Sequence, residues 1–318
     1  MKRPEDDAFP PLNYQIPQLQ NYQILVNGVL IIDKPAGLTS HDVVSRARRI
    51  LDQRSVGHLG TLDPMATGVL PLVVGRFTRL AQFYLMSEKT YEGTIRFGFS
   101  TATYDAEGEP TSSPAQPNFS REELDAAAAR FRGIIAQTPP PFSAKKIQGV
   151  PAYKLARKQQ EVRLEAVQVE LKEFEILSLE NDRARFRARV GSGTYMRSVA
   201  HDIGLALGCG AHLEALRRTT VAEFMIEDAH TLEELEGFRG HPEREGLCVH
   251  PRKLLPALPA ITADEMATAH IRSGRTVNLP ELSRARQIKV FSGQRDLIAI
   301  ATRVAGTLFH PKIVLVGQ

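Results

Sequence analysis

A predicted β-hairpin between Val167 and Val190 narrows the choice of folds more than any other segment. Apolar and polar residues alternate along two runs on either side of Asn181 and Asp182, which is the pattern of strands with one buried face. Asparagine and aspartate favour a tight turn, so the runs pair antiparallel. Other strand-like and helical runs are mixed without a regular strand–helix–strand repeat. The chain is therefore predicted to be an α+β protein with a mixed, mainly antiparallel sheet.

Helix signals and further strands flank this hairpin. An apolar, β-rich run ends near Ile32, a Lys-Pro-Ala-Gly turn follows, and Thr39 is placed to cap a helix. Ser120, with Glu123 three positions later, predicts a capping-box helix. The other predicted elements are strands at 69–74 and 91–99 and a helix at 194–207.

Proline-rich segments divide the chain. Residues 1–24 combine prolines with polar residues and are predicted to form a flexible extension. A second proline cluster at 251–259 predicts a linker. A main domain would then occupy residues 25–250. Residues 251–318, with a helical patch at 263–273 and three strand-like runs after it, would form a small β-barrel-like domain.

Composition excludes several classes of protein. The 318 residues are 42% hydrophobic and 24% charged, which is typical of a globular chain rather than a disordered one. Cys209 and Cys248 form neither a disulfide framework nor a CxxC pair, which indicates a reducing compartment. The acidic, proline-containing start lacks a signal-peptide core, and no apolar run reaches about 18 residues. We therefore predict a cytoplasmic protein with no membrane contact.

A basic segment at residues 144–163 stands out from a nearly balanced chain. The whole chain carries a net charge of +4, whereas this segment has six Lys or Arg against one Glu, a net charge of +5. Such a run is often a solvated helix face. The interleaved Gly149, Pro151 and Tyr153 favour a loop that binds a polyanion.

Asp63 is the single carboxylate in a segment rich in turn residues. Between Gly57 and Leu80 there are four glycines, two prolines and this one acid. Asp-Pro interrupts regular structure, so Asp63 is predicted to lie on a rigid loop before a buried strand. From the dipeptide alone, a turn-capping role is the simpler interpretation.

Longer strings point to a family. GHLGTLDPMATGVLPL and the upstream GVLIIDKPAGLTSHDVV resemble the TruB-type pseudouridine synthases, and the resemblance covers about residues 25–318. Further matching strings are KTYEG, TPPPFSAKKIQGVPAYKLAR and GSGTYMRSVAHDIGLALGCGAHLEALRRT. The resemblance implies a pseudouridine synthase catalytic domain followed by a PUA-like RNA-binding domain. It also implies an enzyme that isomerises the T-loop uridine at position 55 of tRNA.

The resemblance assigns three catalytic positions. Asp63 matches the nucleophile, and an aspartate with an ordinary pKa of about 3.9 is ionised at neutral pH without a separate base. Attack on the ribose and attack on the base are both compatible with this residue. Arg197 matches the arginine that pairs with the nucleophile. Tyr91 matches the tyrosine that packs on the uracil and helps to remove the C5 proton.

Substrate contacts and partners follow from the same resemblance. The basic segment matches an RNA-clamping insertion at about 138–165. The implied substrate-binding residues are His58, Tyr91, Tyr195, Leu216, Lys145, Lys146 and Lys154. The implied reaction needs no cofactor, and the sequence contains neither a metal-ligand motif nor a GxxxxGK[ST] phosphate loop. We expect a monomer that binds the T-arm stem-loop of tRNA and requires no protein partner.

Two alternatives are retained. A guide-RNA-dependent synthase of H/ACA particles shares the GTLDP core, although the SGTYMR string and the absence of long Lys-rich tails favour a stand-alone enzyme. A tRNA-folding chaperone or RNA-binding module with little catalysis is the other alternative. The presence of Asp63, Tyr91 and Arg197 favours an active enzyme.

Overall fold

The fold is described from a computed structural model of the chain. It describes residues 25–143, 145–158, 160 and 162–316, so the predicted extension at 1–24 lies outside the described residues. None of the helices in this described part combines the length and hydropathy needed to cross a bilayer.

A large sheet is built from strands in the first two thirds of the described chain. Eleven strands occur up to residue 225: β1 (Gly28–Lys34), β2 (Val56–His58), β3 (Thr67–Val74), β4 (Lys89–Phe97), β5 (Gly133–Gln137), β6 (Lys146–Ile147), β7 (Val150–Pro151), β8 (Val167–Glu180), β9 (Arg183–Val190), β10 (Ala211–Val221) and β11 (Phe224–Met225). Strands β6 and β7 form a separate small hairpin, and the other nine belong to one sheet.

The pairing in this sheet is mixed and mainly antiparallel, as predicted. The strand order is β1-β3-β10-β4-β9-β8-β5, with β2 added to β3 and β11 added to β10. Among the described strands of this sheet, only β3 and β10 pair in parallel. The predicted hairpin is β8 and β9, and Asn181 adopts φ 54° in its turn. The prediction of an α+β fold is confirmed.

Helices begin where the capping signals predicted them. The described helices are α1 (Ser40–Leu51), α2 (Arg121–Ala129), α3 (Ala152–Ala156), α4 (Met196–Ala206), α5 (Leu232–Gly237) and α6 (Glu265–Arg272), with 3₁₀ turns at Gly75–Phe83, Ile226–Asp228, Pro242–Leu247 and Pro251–Lys253. Thr39 and Ser120 both form complete capping boxes. Helix α4 begins two residues later than predicted, because the Thr194 hydroxyl donates to the Gly191 carbonyl and closes a turn instead.

Strands β1 and β3 are apolar over residues 29–32 and 69–74 because both of their faces are buried there. On β1, Leu30 and Ile32 join the core that includes α1 and α4. Val29 and Ile31, on the opposite face, join a second core shared with the C-terminal part of the chain. Successive strand residues point to opposite faces, so a strand buried on both sides has no polar positions.

The C-terminal part is a small curled sheet, which agrees with the predicted PUA-like β-domain. Its strands are β12 (Ala260–Ala263), β13 (Val277–Asn278), β14 (Gln287–Ser292), β15 (Asp296–Ala305) and β16 (Leu308–Val314). The order is β12-β14-β15-β16-β13, and α6 packs against it. The three strand-like runs of the sequence correspond to β14, β15 and β16. The domain boundary at residue 250 stays a prediction.

Polar contacts join the two sheets around Glu223. One of its carboxylate oxygens accepts hydrogen bonds from the Tyr84 hydroxyl at 2.6 Å and from the Leu255 backbone N–H at 2.8 Å. The Arg79 guanidinium donates to the Val314 carbonyl at 2.7 Å. With the shared apolar core, these contacts fix the C-terminal sheet against the main sheet.

Gly68 marks the closest approach of β3 to β10. Its φ is +100°, and a Cβ at this position would lie 2.2 Å from the Arg218 carbonyl oxygen. The parallel pairing of Gly68 with Arg218 therefore requires a residue without a side chain.

Gly68→Ala is expected to lower the free energy of unfolding by about 2 kcal/mol or more, because the backbone strain and the clash with backbone atoms add together. Gly133→Ala is the matched control. Gly133 also has a positive φ, +86°, but a Cβ added at this position would have no atom within 4 Å. Urea denaturation of both variants measures the difference. Equal losses would show that φ alone, and not the close strand contact, sets the requirement.

Candidate active site

Asp63 lies on the loop that connects β2 to β3. The loop is closed by a hydrogen bond from the Ala66 N–H to the Asp63 carbonyl at 3.1 Å. The Ser40 side chain, at the start of α1, accepts from the Leu62 N–H at 2.8 Å. The Asp63 side chain remains 34% exposed. The loop is thus fixed by its backbone while the carboxylate stays accessible.

A fully buried arginine of β10 supports this loop through hydrogen bonds to its main chain. The Arg218 guanidinium donates to three main-chain carbonyls, those of Gly60 (3.0 Å), Thr61 (3.3 Å) and Val69 (2.8 Å). A buried charge is tolerated when its N–H groups are all well paired. Arg218 therefore links the central strand to the loop that carries Asp63.

A buried lysine supports the other side of the loop. The Lys34 ammonium donates to the carbonyls of Pro35 (2.9 Å), Leu38 (2.6 Å) and Pro64 (3.1 Å). Burial lowers the pKa of Lys34 to about 8, and the nearby Asp63 charge opposes that shift. Lys34 thereby connects the turn before α1 to the residue that follows Asp63.

Asp63 and Arg197 form a close ion pair. The Arg197 Nη2 donates to Asp63 Oδ1 at 3.0 Å, and Nε lies 2.9 Å from Oδ2. The Nε contact is outside hydrogen-bonding geometry, so it acts through charge attraction. Arg197 is only 5% exposed and Asp63 faces solvent, which orients the carboxylate toward the outside of the protein.

Arg197 is held by three further groups. Its Nη1 donates to the Thr103 carbonyl at 3.0 Å and lies 3.4 Å from the Asp105 carboxylate. Its Nη2 also donates to the Phe142 carbonyl at 3.0 Å. Asp105 is 3% exposed, and it accepts from the Thr103 hydroxyl and the Glu107 N–H. The guanidinium therefore has two carboxylates beside it, one buried and one accessible.

Six of the predicted site residues line one cavity of about 780 Å³. They are His58, Asp63, Tyr91, Tyr195, Arg197 and Leu216. Asp63 is the only carboxylate among the described residues that line it. The geometry thus brings together residues that are up to 158 positions apart in the sequence.

Tyr91 and Leu216 reach the cavity from adjacent strands. Tyr91 on β4 pairs with Arg218 on β10, and Leu216 lies two residues before Arg218 on the same face. Tyr91 is 7% exposed and Leu216 is 8% exposed. Together they contribute an aromatic and an aliphatic surface to the cavity that Asp63 also lines.

Two other lining residues are kept neutral by their surroundings. Burial lowers the pKa of His58, and the neighbouring Arg218 charge lowers it further. Burial also raises the pKa of the Tyr195 hydroxyl. At pH 7 the cavity therefore offers a neutral imidazole and a protonated phenol. The Tyr195 backbone is fixed by Gln137, whose side chain bonds both its N–H and its carbonyl.

The three predicted clamp lysines are placed differently. Lys145, Lys146 and Lys154 are exposed and are not part of the cavity lining. From the same segment it is Tyr153 and Arg157 that reach the cavity, with the guanidinium 5.6 Å from the ring centroid. The three lysines face solvent on the same segment of the chain as Tyr153 and Arg157. Their role in RNA binding stays a prediction.

Sequence reasoning missed four residues that shape the site: Arg218, Lys34, Asp105 and Lys89. Burial lowers the pKa of Lys89 to about 8, and its ammonium donates to the Ser87 carbonyl at the cavity. Alternation is regular only over residues 215–218 of β10, where Arg218 shares the buried face of Leu216 and Arg217 is exposed, so the sequence signal for Arg218 was short. The sequence offers no comparable signal for Asp105.

Among the described residues, no three of His, Cys, Asp and Glu are grouped so that they would hold a metal ion. The expectation that the reaction needs no metal rests on its chemistry and stays a prediction.

Family models match most of the main domain. Residues 48–196 match the model for the TruB family pseudouridylate synthase N-terminal domain. Residues 197–252 match the model for the tRNA pseudouridylate synthase B C-terminal domain. Both matches end before the five-stranded sheet that begins at residue 260.

Curated relatives and solved structures agree with these matches. The chain is 50% identical over 293 residues to tRNA pseudouridine synthase B of Solibacter usitatus, covering 91% of this chain and 100% of that protein. It is 38% identical over 296 residues to the protein of that name from Chromobacterium violaceum, covering 92% and 96%. A chain in the crystal structure of a Cbf5–Nop10–Gar1 complex has a TM-score of 0.67 at 26% identity, covering 91% of this chain and 85% of that one.

Arg218→Lys is expected to lower the free energy of unfolding by about 2 kcal/mol or more. A single ammonium cannot reproduce the planar set of donors, so at least one buried carbonyl loses its partner. Arg217→Lys is the matched control, because Arg217 is exposed and should change the stability by at most about 0.5 kcal/mol. Urea denaturation compares the two variants. Similar losses would contradict the supporting role of Arg218.

Proposed function

The chain belongs to the TruB family of pseudouridylate synthases, and on that premise we propose that it isomerises the T-loop uridine at position 55 of tRNA to pseudouridine. Its tRNA pseudouridine synthase function makes it an isomerase: the C1′–N1 bond breaks, a C1′–C5 bond forms, and a proton moves from C5 to N1. No atom or electron is gained or lost, so we expect no cofactor. The Asp63–Arg197 ion pair at the cavity carries the finer proposal.

Asp63 is the proposed nucleophile. It is the sole carboxylate among the described cavity-lining residues, and it is the accessible one of the two that flank Arg197. Arg197 contacts both of its oxygens, which fixes the direction in which the carboxylate faces a bound nucleotide. A carboxylate that is already ionised attacks without a general base.

Tyr91 and Leu216 are the proposed walls of the uracil site. A base inside a folded T-loop is stacked, so it must leave the stack to reach Asp63, which costs a few kcal/mol. Stacking on the Tyr91 ring and burial against Leu216 offset that cost. Tyr91 is also the proposed group that helps to remove the C5 proton. The neutral His58 and Tyr195 supply polar contacts without adding charge.

We expect the enzyme to act alone, as a monomer in the cytoplasm where tRNA is found. The alternative of a guide-RNA-dependent enzyme is suggested by the similarity to the Cbf5 chain, which was solved with two partner proteins. The higher identity to bacterial tRNA pseudouridine synthase B favours the stand-alone enzyme. The chaperone alternative predicts tRNA binding without isomerisation, and the ordered Asp63–Arg197 pair disfavours it.

Purified chain alone should form pseudouridine in an unmodified tRNA transcript or a T-arm stem-loop, and Asp63→Asn should abolish it. The amide keeps the shape of the side chain but not its charge, while tRNA affinity, which depends mainly on phosphate contacts, should change less than threefold. Asp33→Asn is the control, because Asp33 forms an exposed ion pair with Arg217 outside the cavity. Pseudouridine mapping and filter binding measure the two properties.

Turnover by Asp63→Asn within tenfold of the wild type would refute the nucleophile assignment. Product that appears only with an added guide RNA and partner proteins would support the guided alternative. Tight binding by the wild type without any product would support the chaperone alternative.

Lys145, Lys146 and Lys154 are proposed to contact phosphates of the T-arm. They are exposed, and the described structure gives none of them a carboxylate partner within 4 Å. They lie on the segment whose Tyr153 and Arg157 line the cavity entrance. A strand of RNA that enters the cavity would therefore pass these cations.

Replacing the three lysines with alanine should flatten the dependence of log K on log salt by roughly 2 to 3, since each lost phosphate contact removes about 0.7 to 0.9 from the slope. The saturated rate should change less than the affinity. The control triple replaces Arg183, Arg187 and Arg189, each of which is already paired with a glutamate. Binding titrations at several salt concentrations compare the slopes. Identical slopes for wild type and lysine variant would exclude the clamp.

A further inference from the structure

Tyr104 has a backbone conformation that tyrosine rarely adopts. Its φ is +65°, in the left-handed region that favours glycine, and a bulky residue is strained there. The residues on both sides of it contact Arg197: the Thr103 carbonyl accepts from its Nη1, and the Asp105 carboxylate lies 3.4 Å from the same atom. The unusual backbone therefore occurs at the point where the loop meets the proposed catalytic ion pair.

The Tyr104 side chain stacks on a histidine of the helix that carries Arg197. The Tyr104 and His201 rings are nearly parallel, with an interplanar angle of 7° and centroids 3.8 Å apart. His201 follows Arg197 by four residues on α4, so the two side chains lie on the same face of that helix. Burial lowers the pKa of His201 and raises that of Tyr104, so both rings are neutral at pH 7.

Backbone contacts hold the other side of the same loop. The Tyr104 carbonyl accepts from the Leu213 N–H at 3.0 Å, and the Leu213 carbonyl accepts from the Ala106 N–H at 3.0 Å. The loop is thus paired with β10 on one side and stacked on α4 on the other. Besides the stack, the loop is connected to α4 by the contacts of Arg197 and by the nearby charge of Asp202, which adds to the effect of burial in raising the pKa of Tyr104.

We propose that Tyr104 and His201 are positioning residues: their stack fixes the 103–105 loop against α4 so that the Thr103 carbonyl and Asp105 hold Arg197 in the orientation that directs Asp63. The inference rests on the proposed function of Asp63 and Arg197. It accounts for a tyrosine at a position where glycine would avoid the backbone strain. The favourable stacking of the two rings offsets part of that strain.

Tyr104→Gly separates this role from simple stability. Glycine accepts φ +65° without strain, so the variant should fold with nearly unchanged stability while it loses the ring. We expect its single-turnover rate at saturating tRNA to fall at least tenfold and its tRNA affinity to stay within twofold. Tyr104→Phe keeps the ring and should stay within threefold of the wild-type rate. Asn181→Gly, at another positive-φ position without a stacked ring, is the control and should be fully active.

A double-mutant cycle tests whether Tyr104 acts through Arg197. His201→Ala should reproduce the loss, and combining it with Tyr104→Gly should add little. In an Asp105→Asn background, Tyr104→Gly should cost much less than it does in the wild type. The proposal is overturned if Tyr104→Gly keeps a rate within twofold of wild type. It is also overturned if the fold loss in rate of the double variant equals the product of the fold losses of Tyr104→Gly and Asp105→Asn.

The side-chain NMR signal of Arg197 Nε–H gives a readout that does not depend on product. Tyr104→Gly should broaden or shift that signal, and Tyr104→Phe should leave it in place. If the wild type forms no pseudouridine, the proposed function fails while the NMR comparison still decides the positioning role. An unchanged Arg197 signal in Tyr104→Gly would refute that role directly.

Discussion

The need to pair a buried guanidinium couples the centre of the main sheet to the active-site loop. Arg218 is fully buried, and its hydrogen-bond acceptors are main-chain carbonyls of Gly60, Thr61 and Val69. An unpaired charge in the interior costs several kcal/mol, so β10 cannot occupy its central place unless the loop has its native shape. The loop in turn needs β10, because Gly68 and Arg218 pair at the closest approach of the two strands. The central pairing of the sheet and the native shape of the Asp63 loop therefore depend on each other.

Arg197 has two carboxylate neighbours, the buried Asp105 and the accessible Asp63 that is the proposed nucleophile. Asp105 is buried. Its carboxylate accepts a hydrogen bond from the Thr103 hydroxyl and lies beside the Arg197 guanidinium, so it holds the arginine in place. Asp63 shares the same guanidinium but keeps a third of its side chain exposed. Had Arg197 only Asp63 as a carboxylate partner, its charge would be balanced by the proposed nucleophile alone. The second carboxylate, Asp105, would keep Arg197 paired if Asp63 turned to a substrate.

Local signals in the sequence predicted local structure well, but they did not predict contacts between residues that are distant in the sequence. The N-cap at Thr39, the capping box at Ser120 and the turn at Asn181 and Asp182 each depend on a few neighbouring residues, and each was confirmed. The family strings identified six residues that meet in one cavity. Strand β10 was not predicted as a strand, because irregular pairing at two points along it breaks its alternation. Nothing local distinguishes buried Asp105 from an exposed acid, since its partner Arg197 is 92 positions away.

The double burial of β1 and β3 determines how the C-terminal sheet relates to the cavity. One face of these strands packs on helices and the other on the C-terminal sheet, so neither half of the chain buries its apolar surface alone. Tyr84 belongs to the cavity lining and donates to Glu223, which also accepts the Leu255 N–H at the start of the C-terminal part. Displacing that part would take the Leu255 N–H away from Glu223 and the Val314 carbonyl away from Arg79. The PUA-like sheet is therefore held in fixed orientation to the cavity wall, and RNA that contacts both meets a preformed surface.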